Sequence, residues 1–545
     1  MSALLCVRDF VADSLNILMV AAENDALAGG KVGGVGDVVR DVPCALADLP
    51  EYEGSVSVVC PSYGFLHEIP KASLGTVEFS FGGERLTAEL FEVEGKRPHA
   101  GVRQLVLHHA AFETIDSASG RKLIYVDDGA EHPFASDATK FACFNAAVAQ
   151  AVLQGSFGEV DIVHLHDWHA GLFLMLREFD PALSDLRSKR TVFTIHNIAL
   201  QGIRPLDGYA SSLKSWFPEL NYDLPTVQDP EFFDCMNPMA IGVRLADKVH
   251  VVSPGYVPEV CQPSRPQRND PLCVFFGGEG LEEDLQAARE QGRLVGILNG
   301  CEYDATPSTL PSHDEASWRN LLSGLVAELA GWYQRSQTFP NWLAHQRLSN
   351  WLENNRPRPS VVMTSVTRVV DQKVRLMRTP NEAPPLDRIL TAADDDVVYL
   401  LAGNGDRGYE KFLHDLARKH DNFVFLNGYS HRGAELLYQT GDLFLMPSAF
   451  EPCGISQMLA MRDGQPCVVH SIGGLKDTVN DGETGFAFSG STPEELGDGF
   501  VETTRRAIEL KRNSEAGFGE IRNAAFGCRF LWSDSVRRYL SELYR

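Results

Sequence analysis

The chain has 545 residues, too many for one ordinary hydrophobic core, and a formal net charge of -24 that speaks against general nucleic-acid binding. It is 44% hydrophobic and 22% charged, the balance of a soluble globular protein, and no run of about 18 apolar residues predicts a membrane span. Eleven cysteines without a CxxC pair suit neither a disulfide framework nor a zinc ribbon. The start, "MSALLCVRDFVADSLN", carries Asp9 and Asp13 and no basic cluster, which makes a poor secretory signal, so reduced thiols in a cytoplasm are expected.

In chain order, short apolar runs alternate with helix-like text. Strands are predicted at "NILMVAA" (16–22), "VSVVC" (56–60), "RQLVLHH" (103–109), "LIYV" (123–126), "DIVHLH" (161–166), "TVFTI" (191–195) and "VHVVS" (249–253). A second series follows at "VVMT" (361–364), "DVVYLLAG" (396–403), "FVFLNG" (423–428), "DLFLMP" (442–447) and "CVVH" (467–470). Near-continuous apolar runs ending in Gly, Pro, Ser, His or Asp read as buried parallel strands with functional loops at their carboxyl ends. The fold class expected is α/β, as two doubly wound domains facing a cleft. Residues 304–360 differ. Their tryptophan-rich text, "ASWRNLLSGLVAELAGWYQ" and "FPNWLAHQRLSNWLENN", has amphipathic spacing and predicts a helical insertion near the domain junction.

Several strand ends carry chemistry. In "GGKVGGVGDVV" (29–39), Gly33, Gly34 and Gly36 permit close backbone approach to a ligand, the following helix start favours an anion, and Lys31 adds charge; a simple tight turn accounts for the same glycines. In "HLHDWHAGL", Asp167 can cap the next helix, and His169 can bond a sugar hydroxyl or act as a base. His196 and Asn197 end another strand, as ligand contacts or as a loop-fixing network. In "TRVVDQK", Arg368 and Lys373 suit a diphosphate, unless they are solvated surface charge. In "FEPCGISQMLA", Cys453 has no His or Asp partner nearby in sequence, which disfavours a nucleophilic thiol, and Pro452 suits a first helical turn. Gly473 and Gly474 mark another helix start after a strand, so this stretch and "SIGGLKDTV" together suggest a cradle for sugar and phosphate.

The combination resembles the bacterial glycogen synthase and plant starch synthase family. The matching text, in the family's order, is "KVGGVGDVV", "HLHDWHAGL", "TIHNIALQG", "VVSPGYVPEV", "GILNG", "RVVDQK", "GYSHR", "FEPCG" and "GGLKDTV…TGFAF", with "FLWSDSVRRYLSELY" (530–544) similar to the family's last helix. The likeness is weak over 304–360 and 374–395.

The resemblance implies two Rossmann-like domains of the GT-B type: residues 1–300 on the acceptor side, 301–529 on the nucleotide-sugar side, and 530–545 as a helix crossing back. It implies transfer of glucose from ADP-glucose or UDP-glucose to the non-reducing end of an α-1,4-glucan, with retention and without a metal or other cofactor. On this resemblance Lys31, Gly33 and Gly34 lie against the diphosphate and sugar, and Arg368 and Lys373 neutralise the leaving diphosphate. The amides of Gly473, Gly474 and Leu475 hold its distal end. His169 and Asn237 bind glucose hydroxyls, Glu451 its far side, and Tyr429 packs on the base; Cys453 and Gly454 line the substrate. The catalytic set so implied is His169, Arg368, Lys373 and Glu451. The sequence departs from the family at four places. Ser136 stands at the acceptor-side acidic position with Asp137 one step along, Ala240 replaces a basic residue, Val374 a glycine and Ile472 a threonine. Two other readings follow: the same chemistry on a small or short oligosaccharide acceptor, and a catalytically weak glucan-binding paralogue.

Overall fold

The computed structural model describes residues 15–116, 120–129, 131–265, 275–303, 309–335, 339–378 and 383–545. Asp9 and Asp13, and parts of the 304–360 and 374–395 stretches, lie outside the described residues. The chain divides into two compact units. One holds Met1–Val252, Gly278–Ile297 and Trp532–Arg545; the other holds Ser253–Gly277 and Leu298–Leu531. Residues 253–277, expected within 1–300, therefore cluster with the second unit.

The strands of the first unit are β1 (Ile17–Val20), β2 (Val56–Pro61), β3 (Pro70–Phe81), β4 (Glu84–Val93), β5 (Val102–His108), β6 (Ile162–His166), β7 (Arg190–Ile195), β8 (Arg204–Pro205), β9 (Cys235–Met236), β10 (Lys248–Val251) and β11 (Leu294–Gly296). Nine of them form one sheet in the order β11-β10-β7-β6-β1-β2-β5-β4-β3, while β8 and β9 pair as a short ribbon. The sheet is parallel from β11 to β5 and antiparallel through β4 and β3. Its parallel strands are apolar on both faces because helices cover both.

The β3–β4 hairpin turns on Gly82 and Gly83, at φ 62° and 78°, the left-handed pair that matches the twist of a two-residue turn. The expected strand 123–126 does not form. Only Leu123 N finds a backbone partner, Thr114 O, and beyond it the backbone serves side chains, with Ile124 O accepting from Lys140 and Val126 N donating to Asp137.

The second unit contains β12 (Val361–Val366), β13 (Val397–Gly403), β14 (Phe423–Asn427), β15 (Leu443–Met446), β16 (Cys467–His470) and β17 (Gly485–Phe488). Their order is β14-β13-β12-β15-β16-β17, all parallel. Chain order reverses beside β1 in the first sheet and beside β12 in the second. Open α/β sheets bind ligands at the carboxyl ends of strands at such points. The tryptophan-rich stretch is a pair of helices, Glu315–Arg335 and Phe339–Glu353. Trp318, Leu321, Leu322, Leu325, Leu329 and Trp332 recur at helical spacing and share one core with Leu348, Trp351, Val362, Val398 and Leu437. The insertion is therefore part of the second unit's hydrophobic core.

Candidate active site

In the first unit, β1 runs into a buried Glu23 and then into the helix α1 (Gly34–Ala47). The Glu23 carboxylate accepts from the amides of Val32 (2.7 Å) and Gly33 (2.5 Å) and from the Tyr125 hydroxyl (3.0 Å). An internal anion thus already sits at the glycine loop. A Cβ on Gly33 would lie 3.4 Å from Glu23, whereas one on Gly34 would meet nothing within 4 Å. Gly33 faces its own protein and Gly34 faces open space, where a ligand can approach the backbone. The Lys31 ammonium pairs with Asp37 at 2.6 Å and is part-exposed.

At the end of β6, Asp167 takes φ 56° and ψ -177°, an unusual backbone for a non-glycine residue. It does not cap the following helix α3 (Trp168–Phe179) as expected; its Oδ1 accepts from His196 N at 2.7 Å and ties β6 to the β7 loop. Burial pushes its carboxyl up to about 7. The His169 ring lies 4.7 Å from that of Phe141 and 4.2 Å from Trp168, and burial pushes its imidazolium down to about 3. His169 is thus neutral at physiological pH, a hydrogen-bonding group in the sense of a neutral imidazole. His166 Nδ1 and His196 Nε2 share a 2.9 Å hydrogen bond.

Two expected ligand contacts are used internally here. Asp137, on the helix α2 (Ala135–Leu153), is 3% exposed; its Oδ1 pairs with Lys140 at 2.7 Å and its Oδ2 accepts from Val126 N at 3.2 Å. Burial raises its carboxyl above the usual range. Ser136 is exposed and bonded to Asp128 through both N (2.8 Å) and Oγ (2.6 Å). The carboxylate bonded to this helix start is Asp128, half-buried, which sequence reasoning missed because it precedes the helix by several residues. Asn237 is fully buried and caps the helix Pro238–Leu245: its Oδ1 accepts from Met239 N and Ala240 N, and its Nδ2 donates to Gln201 (2.6 Å) and Asp229 (2.8 Å). Every hydrogen-bonding position of that amide is filled from within the unit, which leaves none for a glucose hydroxyl.

In the second unit, Arg368 stands exposed in the turn after β12, and Lys373, in the first turn of the following helix Asp371–Arg378, brings its ammonium to the buried Glu451 carboxylate beyond the end of β15. Ser448 Oγ donates to the same carboxylate at 3.0 Å, and Gln372 fastens the two strand ends by bonding Phe450 O (3.0 Å) and accepting from Ala449 N (2.8 Å). Lys373 and Glu451, 78 positions apart in the chain, are thus brought together. Gly473 has φ 47°, and a Cβ there would lie 2.0 Å from Glu451 O; at Gly474 it would lie 2.2 Å from Cys453 O. Only glycines let these two loops touch backbone to backbone, sealed by Gly474 N to Glu451 O at 3.0 Å.

The three amides expected to hold a phosphate all have protein partners: Gly473 N donates to Glu259 Oε1 (2.9 Å), Gly474 N to Glu451 O, and Leu475 N to Ile472 O (3.0 Å). Gly454, at φ 78°, turns the chain into the helix Ser456–Arg462. Cys453 is 4% exposed and burial raises its thiol far above the usual range, which disqualifies it as a nucleophile. Tyr429 follows β14, is 51% exposed, and has its hydroxyl 3.3 Å from His431 Nδ1. Sequence reasoning missed Glu23 and Glu259. Glu23 had a readable signal, an acid at the carboxyl end of a continuous apolar strand.

Two sheets whose parallel switch-point strands end in glycine turns, cations and a buried carboxylate define a glycosyltransferase-like α/β protein, and the comparisons agree. A family model described as the starch synthase catalytic domain matches residues 16–287, and one described as glycosyl transferases group 1 matches 383–505. The chain is 33% identical to a glycogen synthase of Anaeromyxobacter dehalogenans and 31% identical to one of Streptococcus equi subsp. equi, each over 97% of this chain and 99% of the relative. Its fold is that of the catalytic domain of Starch Synthase IV from Arabidopsis thaliana, solved bound to ADP and acarbose (TM-score 0.74, 24% identity, 97% of this chain and 99% of that one). The chain belongs to the glycogen synthase family and is a hexosyltransferase.

Proposed function

We propose that this protein moves glucose from a nucleotide-glucose, ADP-glucose or UDP-glucose, to the non-reducing end of an α-1,4-glucan, with retention of configuration, in a cytoplasm. The observation that carries the reading is the meeting of Lys373 and Glu451 beyond the ends of β12 and β15, with Arg368 in the turn between β12 and the helix that carries Lys373. Breaking the anomeric bond builds negative charge on the diphosphate and oxocarbenium character on the sugar. Arg368 and Lys373 neutralise the first, and the open backbone at Gly34 lets the diphosphate approach the first glycine turn. No metal is needed in this scheme, because the fixed cations supply the positive field. Glu451 orients Lys373 and the sugar, neutral His169 bonds a sugar hydroxyl, and the exposed Tyr429 ring stacks on the base.

One observation favours a second reading of the acceptor. Asp137 is turned into an internal pair with Lys140, and Ala240 offers no cation, so the acceptor side departs from the family's pattern. A short oligosaccharide is then the alternative acceptor.

The test is nucleoside-diphosphate release from ADP-glucose and from UDP-glucose, each with glycogen, with maltose and with no acceptor. Glycogen-dependent release with incorporation into polymer is the expected result and names the donor. Release with maltose alone selects the second acceptor. Glycogen binding without release from either donor refutes the transferase reading.

A further inference from the structure

The loop beyond β15 that carries Glu451 is tied down through Ser448. The chain leaves the strand through Pro447, with Ser448 N donating back to Met446 O at 2.9 Å, a three-residue turn that the fixed φ of proline suits. Ser448 is 1% exposed, and its hydroxyl and carbonyl serve different partners. The hydroxyl donates to Glu451 Oε2 at 3.0 Å, and the carbonyl accepts from His470 Nδ1 at 3.0 Å. Among the described residues no other group donates to that carbonyl. A carbonyl cannot donate, so this bond fixes the His470 proton on Nδ1.

The imidazole is itself held in place. His470 ends β16 and is the register partner of Phe488 on β17. Their rings stack with 5.5 Å between centroids and 18° between planes, which sets the plane of the donor. Burial pushes the imidazolium below the usual range, while the Ser448 and Ala449 backbone groups act against this. The carboxylate at the other end is filled on one side only. Lys373 gives its ammonium to the same Oε2 that takes the Ser448 hydroxyl, and Oε1 accepts no hydrogen bond among the described residues.

We propose that Ser448 and His470 are positioning residues for glucosyl transfer: His470 fixes the Ser448 backbone, and the Ser448 hydroxyl pins Glu451 Oε2 beside Lys373, so that the ammonium and Oε1 meet the substrate in one geometry. This rests on the proposed reading that Lys373 and Glu451 serve the transfer. A glutamate has three rotatable bonds, and a single ion pair to a mobile lysine leaves both partners free to shift together. The hydroxyl of a buried serine on a fixed backbone removes that freedom. A cation that stabilises charge growing on a leaving group works best when it is in place before the bond breaks. A misplacement of about 1 Å can cost on the order of 10²-fold in rate.

The experiment measures kcat and donor KM of the full chain, well below each melting transition, for the natural protein, Ser448→Ala, Glu451→Ala and the double variant. Ser448→Ala lowers kcat by about 10- to 100-fold. Its donor KM stays within about twofold, because the lost interaction matters in the transition state. In the Glu451→Ala background the same change costs nothing further, because no carboxylate is left to aim. His470→Leu reproduces the loss in kcat, and His470→Asn, whose amide N–H reaches the same carbonyl, recovers most of it. Should His470→Leu fail to fold, His470→Gln takes its place, since its N–H lies one bond further out. Losses that multiply in the double variant, or a natural kcat in Ser448→Ala, overturn the proposal. Equal losses in His470→Asn and His470→Leu or His470→Gln overturn the part given to His470. Natural turnover in both Lys373→Ala and Glu451→Ala counts against the transfer reading itself. A large loss in those two with none in Ser448→Ala counts against the positioning chain alone.

Discussion

Replacing Asn237 by alanine separates a structural role from a ligand role at one residue. The structure gives the wild-type amide four internal bonds: two accepted from the first turn of the helix Pro238–Leu245 and two donated, to Gln201 and Asp229. Loss of an N-cap side chain costs roughly 0.5–2 kcal/mol. Leaving the buried Asp229 and Gln201 oxygens without a donor adds about 1–3 kcal/mol. A central expectation is about 3 kcal/mol of destabilisation, or roughly 5 °C in the melting temperature of a unit of this size. Differential scanning calorimetry reads it directly, and the donor KM measured well below the new transition reads the other role. A melting shift under about 2 °C together with a large rise in KM would refute the reasoning and make Asn237 a ligand contact.

Lys373→Ala should lower kcat by about 10²–10³-fold, by analogy with other preorganised charge-stabilising donors; single-turnover kinetics with the donor check this, and near-native rates would break the diphosphate assignment. Asp137→Ala strands the Lys140 ammonium, whose side chain is 2% exposed. Breaking such a buried pair costs about 3–5 kcal/mol, and the double variant Asp137→Leu, Lys140→Met should recover much of it in urea unfolding. Two buried groups pull stability in opposite directions with pH. His250 is held down to about 3, below its unfolded value, so its contribution is full above about 6.5 and is lost as pH falls through that window, by about 1.4 kcal/mol per unit. Asp167 is held up to about 7, so the folded protein gains by the same slope as pH falls from 7 towards 4. Unfolding free energies at pH 7 and 5 should therefore show a shallower acid loss in His250→Asn and a steeper one in Asp167→Asn than in the natural protein.

Much of the fold is legible because buried parallel strands write themselves as uninterrupted apolar runs, as in Val361–Val366 or Val397–Gly403, every residue of which is buried. The β3–β4 hairpin escaped that reading because most of Pro70–Phe81 is exposed and its apolar residues are sparse. The paired glycines 82 and 83 between two alternating stretches were the available signal. "LIYV" failed in the opposite way: its apolar side chains satisfy strand periodicity, but the buried Lys140 and Asp137 take Ile124 O and Val126 N, which a neighbouring strand would have needed. At the site, the motifs located the strand ends that meet, Lys373 with Glu451 above all. They did not reveal which polar groups are already engaged. The internal bonds of Asn237, the Asp137–Lys140 pair, and the carboxylates of Glu23 and Glu259 on the glycine turns depend on residues 3 to more than 200 positions away.

The composition of the first unit sets an order of assembly on the ribosome. Trp532, Val536, Tyr539, Leu540, Leu543 and Tyr544 share one core with Ile17, Met19, Val38, Val42 and Leu46, and the Tyr544 hydroxyl is bonded to His164 at 2.8 Å on β6. The second unit, between them in the chain, is made in full before residue 532 exists. At about 5–20 residues per second, synthesis of the roughly 280 intervening residues takes on the order of 10–60 seconds. For that interval the earliest strands wait with an unsealed apolar face, so the unit begun first is finished last, and the nascent chain is most exposed to aggregation or chaperone capture through residues it made at the outset.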